Sequence, residues 1–87
     1  MYVYSTTKEP AENAAATLTA KRRGAYALGW DGEAADDGKI VVGYVVIPYR
    51  PGHYGVVERW HYADCPERGT FGGAFIARDT IVRLLQE

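Results

Sequence analysis

The sequence contains few of the features that usually reveal a protein's function. It has one cysteine, which excludes an internal disulfide and leads us to expect a reducing compartment such as the cytoplasm. Its ten basic and eleven acidic residues give a net charge of −1, which argues against a global attraction to nucleic acid or to an anionic membrane. No apolar run approaches the roughly 18 residues of a membrane span, and no signal-peptide pattern opens the chain, so we expect no membrane association.

Patterns for metal binding are equally scarce. His61 and Cys65, with His53 and the carboxylates of Asp64 and Glu67, offer groups that ligate zinc. A structural zinc site usually pairs its ligands at short spacing, whereas here a single cysteine stands four residues after a histidine. The acidic turn 32–38 also lacks the alternating oxygen ligands of a calcium loop. We therefore predict no metal and no cofactor.

Catalytic patterns are also missing. The chain has no glycine-rich phosphate loop and no Ser-His-Asp pattern. A Cys65 nucleophile with His61 as its base would need a source of thiolate stabilisation, and Pro66 with the loop around it offers none. Glu58 lies among apolar residues of a predicted strand, where a carboxylate usually pairs with an arginine or lies at the sheet margin. We predict that the protein is not an enzyme.

The clearest pattern in the chain is residues 40–49, Ile-Val-Val-Gly-Tyr-Val-Val-Ile-Pro-Tyr. Such a β-branched and aromatic run predicts a strand long enough to cross a small domain. Alternate residues are apolar on both sides, so neither face of this strand is suited to water. One face should meet the helices of the domain, and the other is available to a second surface.

A hairpin is predicted to follow this strand. Residues 50–53, Arg-Pro-Gly-His, have proline and glycine where a type II turn needs them, which places Tyr49 opposite Tyr54. Counting back along both strands, Trp60 lies over Gly43, and the indole fills the space that the missing side chain leaves.

Two helices flank the predicted sheet. The first covers residues 11–23, begins after Pro10, presents an alanine-rich face and ends at Gly24. The second covers residues 77–86 and is clearly amphipathic. We expect the core on one sheet face to contain Leu18, Ile81, Leu84 and Leu85.

The remaining segments complete a single α+β domain spanning residues 1–87. Residues 2–5 predict a short edge strand, residues 25–31 a strand and residues 63–70 a loop, while residues 71–76 form either a short strand or the approach to the last helix. The element order is (β)-α-β-β-β-(β)-α. It predicts a small antiparallel sheet of three to four strands with two helices on one face.

The first functional hypothesis is a non-catalytic protein-interaction module, such as a small inhibitor or an accessory subunit of a larger complex. Pairing Trp30 with Ile40 would leave an open aromatic and aliphatic sheet face, which a homodimer or another protein would cover. In this arrangement Tyr44 is the central anchor. The predicted interface residues are Tyr26, Trp30, Val42, Tyr44, Val46 and Arg59.

The alternative is a nucleic-acid-binding domain. The core order α-β-β-β-α is also that of double-stranded RNA-binding domains, although the last helix here opens with Ala-Arg-Asp-Thr instead of a lysine-rich turn. Binding of this kind should weaken steeply with salt, unlike an apolar protein interface. The candidate phosphate contacts are Lys21, Arg22, Arg23, Arg50 and Arg59.

Overall fold

Residues 2–71 and 74–87 are described by a computed structural model. Within them the chain forms helix α1 (Lys8–Arg22), strands β1 (Lys39–Arg50), β2 (His53–Tyr62) and β3 (Cys65–Phe71), and helix α2 (Arg78–Gln86). The strands make an antiparallel sheet in the order β1-β2-β3. The predicted α+β class is confirmed. In this part of the chain neither helix has the length and apolar character to cross a membrane.

Both helices contribute to one core on the same face of the sheet. The buried face of α1 consists mainly of alanines around Leu18, and small side chains let a helix lie close to a sheet. Helix α2 adds Ile81 and Leu84, and Leu85 is half-buried against the same cluster, so the predicted core residues are confirmed. The buried cluster contains Ala15, Leu18, Ala27, Val41, Tyr44, Val56, Ile76, Ile81 and Leu84.

The loop predicted over residues 63–70 is wrong, because Cys65–Phe71 is a strand. It pairs with the end of β2, where Gly69 lies opposite His61. Its residues 66–69 are exposed, so this edge strand needs no alternation of apolar and polar residues. A Cβ at Gly69 would collide with the carbonyl of Trp60, which explains the glycine. Of the segment 71–76, residues 72 and 73 lie outside the described residues.

The strand predicted over residues 25–31 is replaced by an extended segment with isolated bridges. Tyr26 lies opposite Ile40, and Leu28 lies opposite Ala34. The predicted pairing of Trp30 with Ile40 is therefore wrong by four residues. The reason is that the chain turns back on itself beyond Leu28 instead of continuing beside β1.

The hairpin between β1 and β2 differs by one residue from its predicted register. The turn pairs Arg50 with His53, as the prediction implies, but an irregularity between Pro48 and Arg50 adds one residue to β1. Pro48 instead of Tyr49 then lies opposite Tyr54. A slip of one residue changes which side chains face each other along the whole hairpin.

A second irregularity in β1 lies between Val41 and Gly43. Trp60 is opposite Val41, so the prediction that its indole covers Gly43 is wrong. Helix α1 takes that space, because a Cβ at Gly43 would lie 3.4 Å from the Thr19 side chain. The Tyr44 N–H donates to Thr19 Oγ1 at 2.9 Å, which satisfies a backbone donor at the bulge.

In place of the edge strand predicted at residues 2–5, the structure has isolated bridges, from Val3 to Ala77 and from Thr6 to Tyr54 in β2. Thr6 and Tyr54 exchange backbone hydrogen bonds of 3.0 and 2.7 Å. The Tyr4 N–H donates to Ile76 O at 3.0 Å, and the Ile76 N–H donates to Val56 O at 3.0 Å. The segments that precede the two helices therefore cover the part of the β2 edge that β3 leaves open.

Candidate functional site: an exposed tryptophan on a braced turn

Trp30 is 99% exposed, more than any other large apolar side chain in the described ranges. Tryptophan side chains are on average well buried in folded proteins. At protein interfaces, tryptophan is enriched among the residues that contribute most of the binding energy. Tyr2, the next most exposed, lies near the end of the chain at 85%. The indole of Trp30 is therefore the most unusual feature of this surface.

Trp30 lies at the tip of a tight turn, residues 29–32, called the Trp30 turn below. The Gly32 N–H donates to Gly29 O at 3.1 Å, which closes the turn, and the Gly29 N–H donates to Glu33 O at 2.8 Å. The Asp31 carboxylate accepts the Glu33 N–H at 3.0 Å. These bonds fix the backbone on both sides of the indole.

Helix α2 holds one side of the Trp30 turn. Arg83 donates one hydrogen bond to the Glu33 carboxylate and another to Gly32 O. Gly32 has a φ of +77°, and a Cβ there would lie 2.5 Å from Thr80 Oγ1. Any other residue would be strained in this backbone conformation and would have to displace the Thr80 side chain, which explains the glycine.

The segment that leads into the turn is fastened to the core by a buried ion pair. Glu58 is 5% exposed, and its Oε1 accepts the Leu28 N–H at 2.9 Å. Its Oε2 lies 3.2 Å from Arg22 Nη1 and accepts the Tyr44 hydroxyl at 2.8 Å. Arg22 Nη2 donates to Tyr26 O at 2.8 Å. This set of bonds, called the Glu58 network below, supplies the arginine partner that a buried glutamate needs.

The Glu58 network keeps Tyr44 protonated. Burial raises the pKa of the Tyr44 phenol well above its ordinary value of 10.0. The negative charge of Glu58 and the hydrogen bond to it raise it further, while Arg22 acts in the opposite direction. Tyr44 therefore acts as a neutral hydrogen-bond donor inside the domain.

Two of the predicted interface residues face the core. Tyr44 is only 6% exposed, and its hydroxyl belongs to the Glu58 network. Val46 is half-buried and packs against the central cluster. The prediction that Tyr44 anchors an open outer face is therefore wrong, and the physical cause is the register of β1 against β2, which aligns Tyr44 with Glu58.

The other four predicted interface residues do not form one surface with them. Tyr26, at 46% exposure, lies on the extended segment that leads into the Trp30 turn. Val42 is half-buried in β1, and Arg59 is exposed on β2. Of the predicted set, Tyr26 and Trp30 are thus the two exposed aromatic residues, and they lie four positions apart in the chain.

The residues predicted to contact nucleic acid lie in different parts of the structure and have different structural roles. Lys21 donates to Leu85 O at 2.9 Å at the end of α2, and Arg22 is part of the Glu58 network. Arg23 is exposed after α1, and Arg50 is exposed at the hairpin. Lys21 and Arg22 therefore already have protein partners, at the end of α2 and in the interior respectively.

Cys65 interacts with a carboxylate instead of a histidine. Its Sγ donates to Glu67 Oε1 at 3.3 Å, and this bond, together with burial and the charge of Asp64, raises the pKa of the thiol. His61 Nδ1 lies 2.9 Å from Tyr62 O. Across residues 2–71 and 74–87, no three His, Cys, Asp or Glu side chains are grouped as metal ligands would be.

A cleft of about 350 Å³ adjoins the Trp30 turn. Leu28, Ala34 and Leu84 contribute its apolar walls, and Arg22 and Arg83 contribute guanidinium groups. In the part of the chain that the structure describes, the Arg83 Nε–H is buried without an acceptor. Glu33 and Glu87 also line the cleft, and Arg22 and Arg83 are paired with Glu58 and Glu33, so the edges of the cleft carry both signs of charge.

Comparisons with protein-family models, with curated proteins and with solved structures found nothing that matches this chain. The candidate site is therefore defined by its own geometry. The exposed turn is not among the features predicted from sequence. Its signal is residues 29–32, Gly-Trp-Asp-Gly, because an aspartate between glycines is typical of a turn.

Proposed function

We propose that this domain is a non-catalytic protein-interaction module, acting as a small inhibitor or as an accessory subunit, with the Trp30 turn as its main contact surface. The observation that supports this is the 99% exposure of Trp30 on a backbone held by α2 and by the Glu58 network. Tryptophans of this kind commonly dominate the binding energy of an interface.

The fixed backbone of the Trp30 turn favours binding because the turn loses little conformational entropy when a partner docks. Immobilising a side chain and its loop opposes association, and a preformed contact avoids part of that cost. The hydrogen bonds of Gly29, Gly32 and Glu33 fix the turn in the free protein. Only the indole itself then loses freedom on binding.

The partner is another protein or a second copy of this chain, and the compartment is the cytoplasm. A single cysteine whose thiol bonds to a carboxylate fits a reducing compartment. Removing a dominant indole usually costs an interface roughly 2 to 4 kcal/mol, so Trp30→Ala should weaken binding by about 30-fold to 1,000-fold.

Site-directed photo-cross-linking tests this function. A benzophenone amino acid replaces Trp30 in one variant and Tyr2 in a matched control, and both are irradiated in an extract of the native host. We expect a discrete adduct from position 30 alone, competed by the unlabelled protein and not by Trp30→Ala. Identical adducts from both positions, or none from position 30, would refute the proposal. Circular dichroism of each variant verifies that it is folded.

A further inference from the structure

Strand β1 lies at one edge of the sheet, and its outer side is paired over its first half only. There the Val41 N–H donates to Ala25 O at 2.8 Å, and the Gly24 N–H donates to Val41 O at 2.9 Å. Within the described residues, no strand or bridge lies beside residues 43–50 on that side. An open strand edge of this kind is a template for pairing with another chain.

Charged side chains do not protect this edge. Natural proteins protect exposed edges with charged residues, especially lysine, or with proline and bulges. Residues 40–49 contain no charged residue and are rich in the β-branched and aromatic types that favour strand pairing. Residues 47–50 are exposed, so the edge is accessible to another strand. Any protection must therefore come from the backbone itself.

The hydrogen bonds show which backbone groups of β1 point to the outer edge. Along an antiparallel pair, residues alternately exchange bonds with the neighbouring strand and point away from it. The Tyr44 N–H donates to Thr19 Oγ1 on α1 instead of to β2, so Tyr44 points away. The register against β2 is unbroken over residues 43–48. The backbone groups of residues 44, 46 and 48 therefore point outward.

The far side of β2 shows the same alternation. Tyr54, which lies opposite Pro48, exchanges backbone hydrogen bonds of 3.0 and 2.7 Å with Thr6. Tyr54 thus points away from β1, and its partner Pro48 points away from β2. Two independent sets of hydrogen bonds, one at each end of this stretch, give the same outward positions.

We propose that Thr19 and Pro48 close the outer edge of β1 against pairing with a second copy of this chain. The Thr19 hydroxyl donates to Ala15 O at 2.8 Å, which leaves its lone pairs to accept the Tyr44 N–H at 2.9 Å. Pro48 has no N–H to donate. Of the outward positions 44, 46 and 48, Val46 is then the one that offers an N–H to an incoming strand.

A second copy is the relevant partner because this edge is complementary to itself. An antiparallel contact about a twofold axis at Val46 places residue 44 of one copy opposite residue 48 of the other. Freeing the N–H at residue 44 and adding one at residue 48 supplies further hydrogen bonds from each copy, which should strengthen association by at least about 30-fold. The inference concerns a surface other than the Trp30 turn and does not depend on the proposed function.

Sedimentation velocity of Pro48→Val combined with either of two changes at Thr19 tests the inference, from about 1 µM to 1 mM. Thr19→Val removes the acceptor oxygen and keeps the shape of the side chain, whereas Thr19→Ser keeps the oxygen and is the matched control. We expect Thr19→Val with Pro48→Val to associate at least about 30-fold more tightly than the wild type. The variant with Thr19→Ser should fall between them, and circular dichroism verifies that each is folded.

Amide hydrogen exchange locates the contact. In the wild type the Tyr44 amide should be protected and the Val46 amide should exchange faster, whereas in the associated variant the Val46 amide should become protected. A folded Thr19→Val, Pro48→Val variant that associates no more tightly than the wild type or the Thr19→Ser control would overturn the inference. So would a wild-type Tyr44 amide that exchanges as fast as that of Val46, a result that decides the matter even if the double variant does not fold.

Discussion

Replacing Glu58 with alanine should be among the most damaging single changes in this domain. Its carboxylate is 5% exposed and bonds to Arg22, to the Tyr44 hydroxyl and to the Leu28 N–H. Glu58→Ala would leave all three donors without this acceptor. Unpaired donors in a buried site cost far more than the net value of the bonds that they made.

The magnitude follows from the surroundings of each donor. Breaking a buried ion pair costs about 3 to 5 kcal/mol. The Arg22 side chain is 12% exposed and keeps Tyr26 O as an acceptor, so its share lies at the lower end. Water that enters the emptied space accepts hydrogen bonds from Tyr44 and Leu28, so these two donors add only about 1 kcal/mol between them, near the net value of the bonds that they lose. The total of about 4 kcal/mol is a large part of the stability of a domain this small.

Urea denaturation and thermal unfolding, both followed by circular dichroism, measure the effect. A loss of about 4 kcal/mol should lower Tm by roughly 15 to 30 °C in a domain of this size. The control is Glu12→Ala, which removes an exposed carboxylate on α1 and should leave the midpoint near that of the wild type. If Glu58→Ala unfolds at the same urea concentration as the control, then Glu58 is not held in a buried network.

Two further predictions concern the core and the effect of pH. Leu84→Ala should destabilise the domain by about 2 to 4 kcal/mol because Leu84 is buried in the central cluster, and an unchanged denaturation midpoint would contradict the packing of α2. The pKa of Tyr44 in the folded state lies above its ordinary value of 10.0, mainly because of burial. The protonated phenol therefore contributes fully to the stability of the fold below about pH 10, and this contribution is lost as the pH rises further. The stability gap between the wild type and Tyr44→Phe should therefore narrow in alkaline solution, and a gap that is constant across denaturation midpoints from neutral to alkaline pH would speak against a buried phenol.

The sequence predicts the helices and the central hairpin well because their signals are local. Helix α2 is amphipathic at the helical period, and the central strand is rich in β-branched residues. The register fails because a bulge depends on contacts from elsewhere in the chain. Thr19 on α1 accepts a hydrogen bond from the Tyr44 N–H, and the local sequence of β1 does not predict that hydrogen bond.

The edge of the sheet is harder to predict for a related reason. Cys65–Phe71 contains proline, glycine and charged residues that are typical of a loop, yet it pairs with the end of β2. Residues 66–69 of this edge strand are exposed, so they show no alternation of apolar and polar side chains in the sequence. Its pairing follows from the close approach that Gly69 allows, which is a tertiary feature.

The candidate site could be predicted only in part. Tyr26 and Trp30 are predicted from the sequence to be interface residues. That prediction assumes a pairing of Trp30 with Ile40, whereas the structure pairs Tyr26 with Ile40. The sequence predicts that Glu58 pairs with an arginine or lies at the sheet margin, and that Arg22 is its partner depends on how α1 lies across the sheet. Such contacts join residues that are far apart in the sequence, so a local sequence pattern does not predict them.

The position of the Glu58 network suggests why a small domain keeps a buried charge at all. A buried ion pair adds little net stability, since well-packed apolar residues of similar volume often do as well or better. Apolar contacts are not directional and would not fix individual backbone atoms of the segment that leads into the Trp30 turn. Hydrogen bonds do so here, because Glu58 accepts the Leu28 N–H and Arg22 donates to Tyr26 O. Arg83 holds the other side of the same loop from α2. Charged groups on two helices and a strand therefore fix one surface turn, and the part of that turn left without a contact is the indole of Trp30.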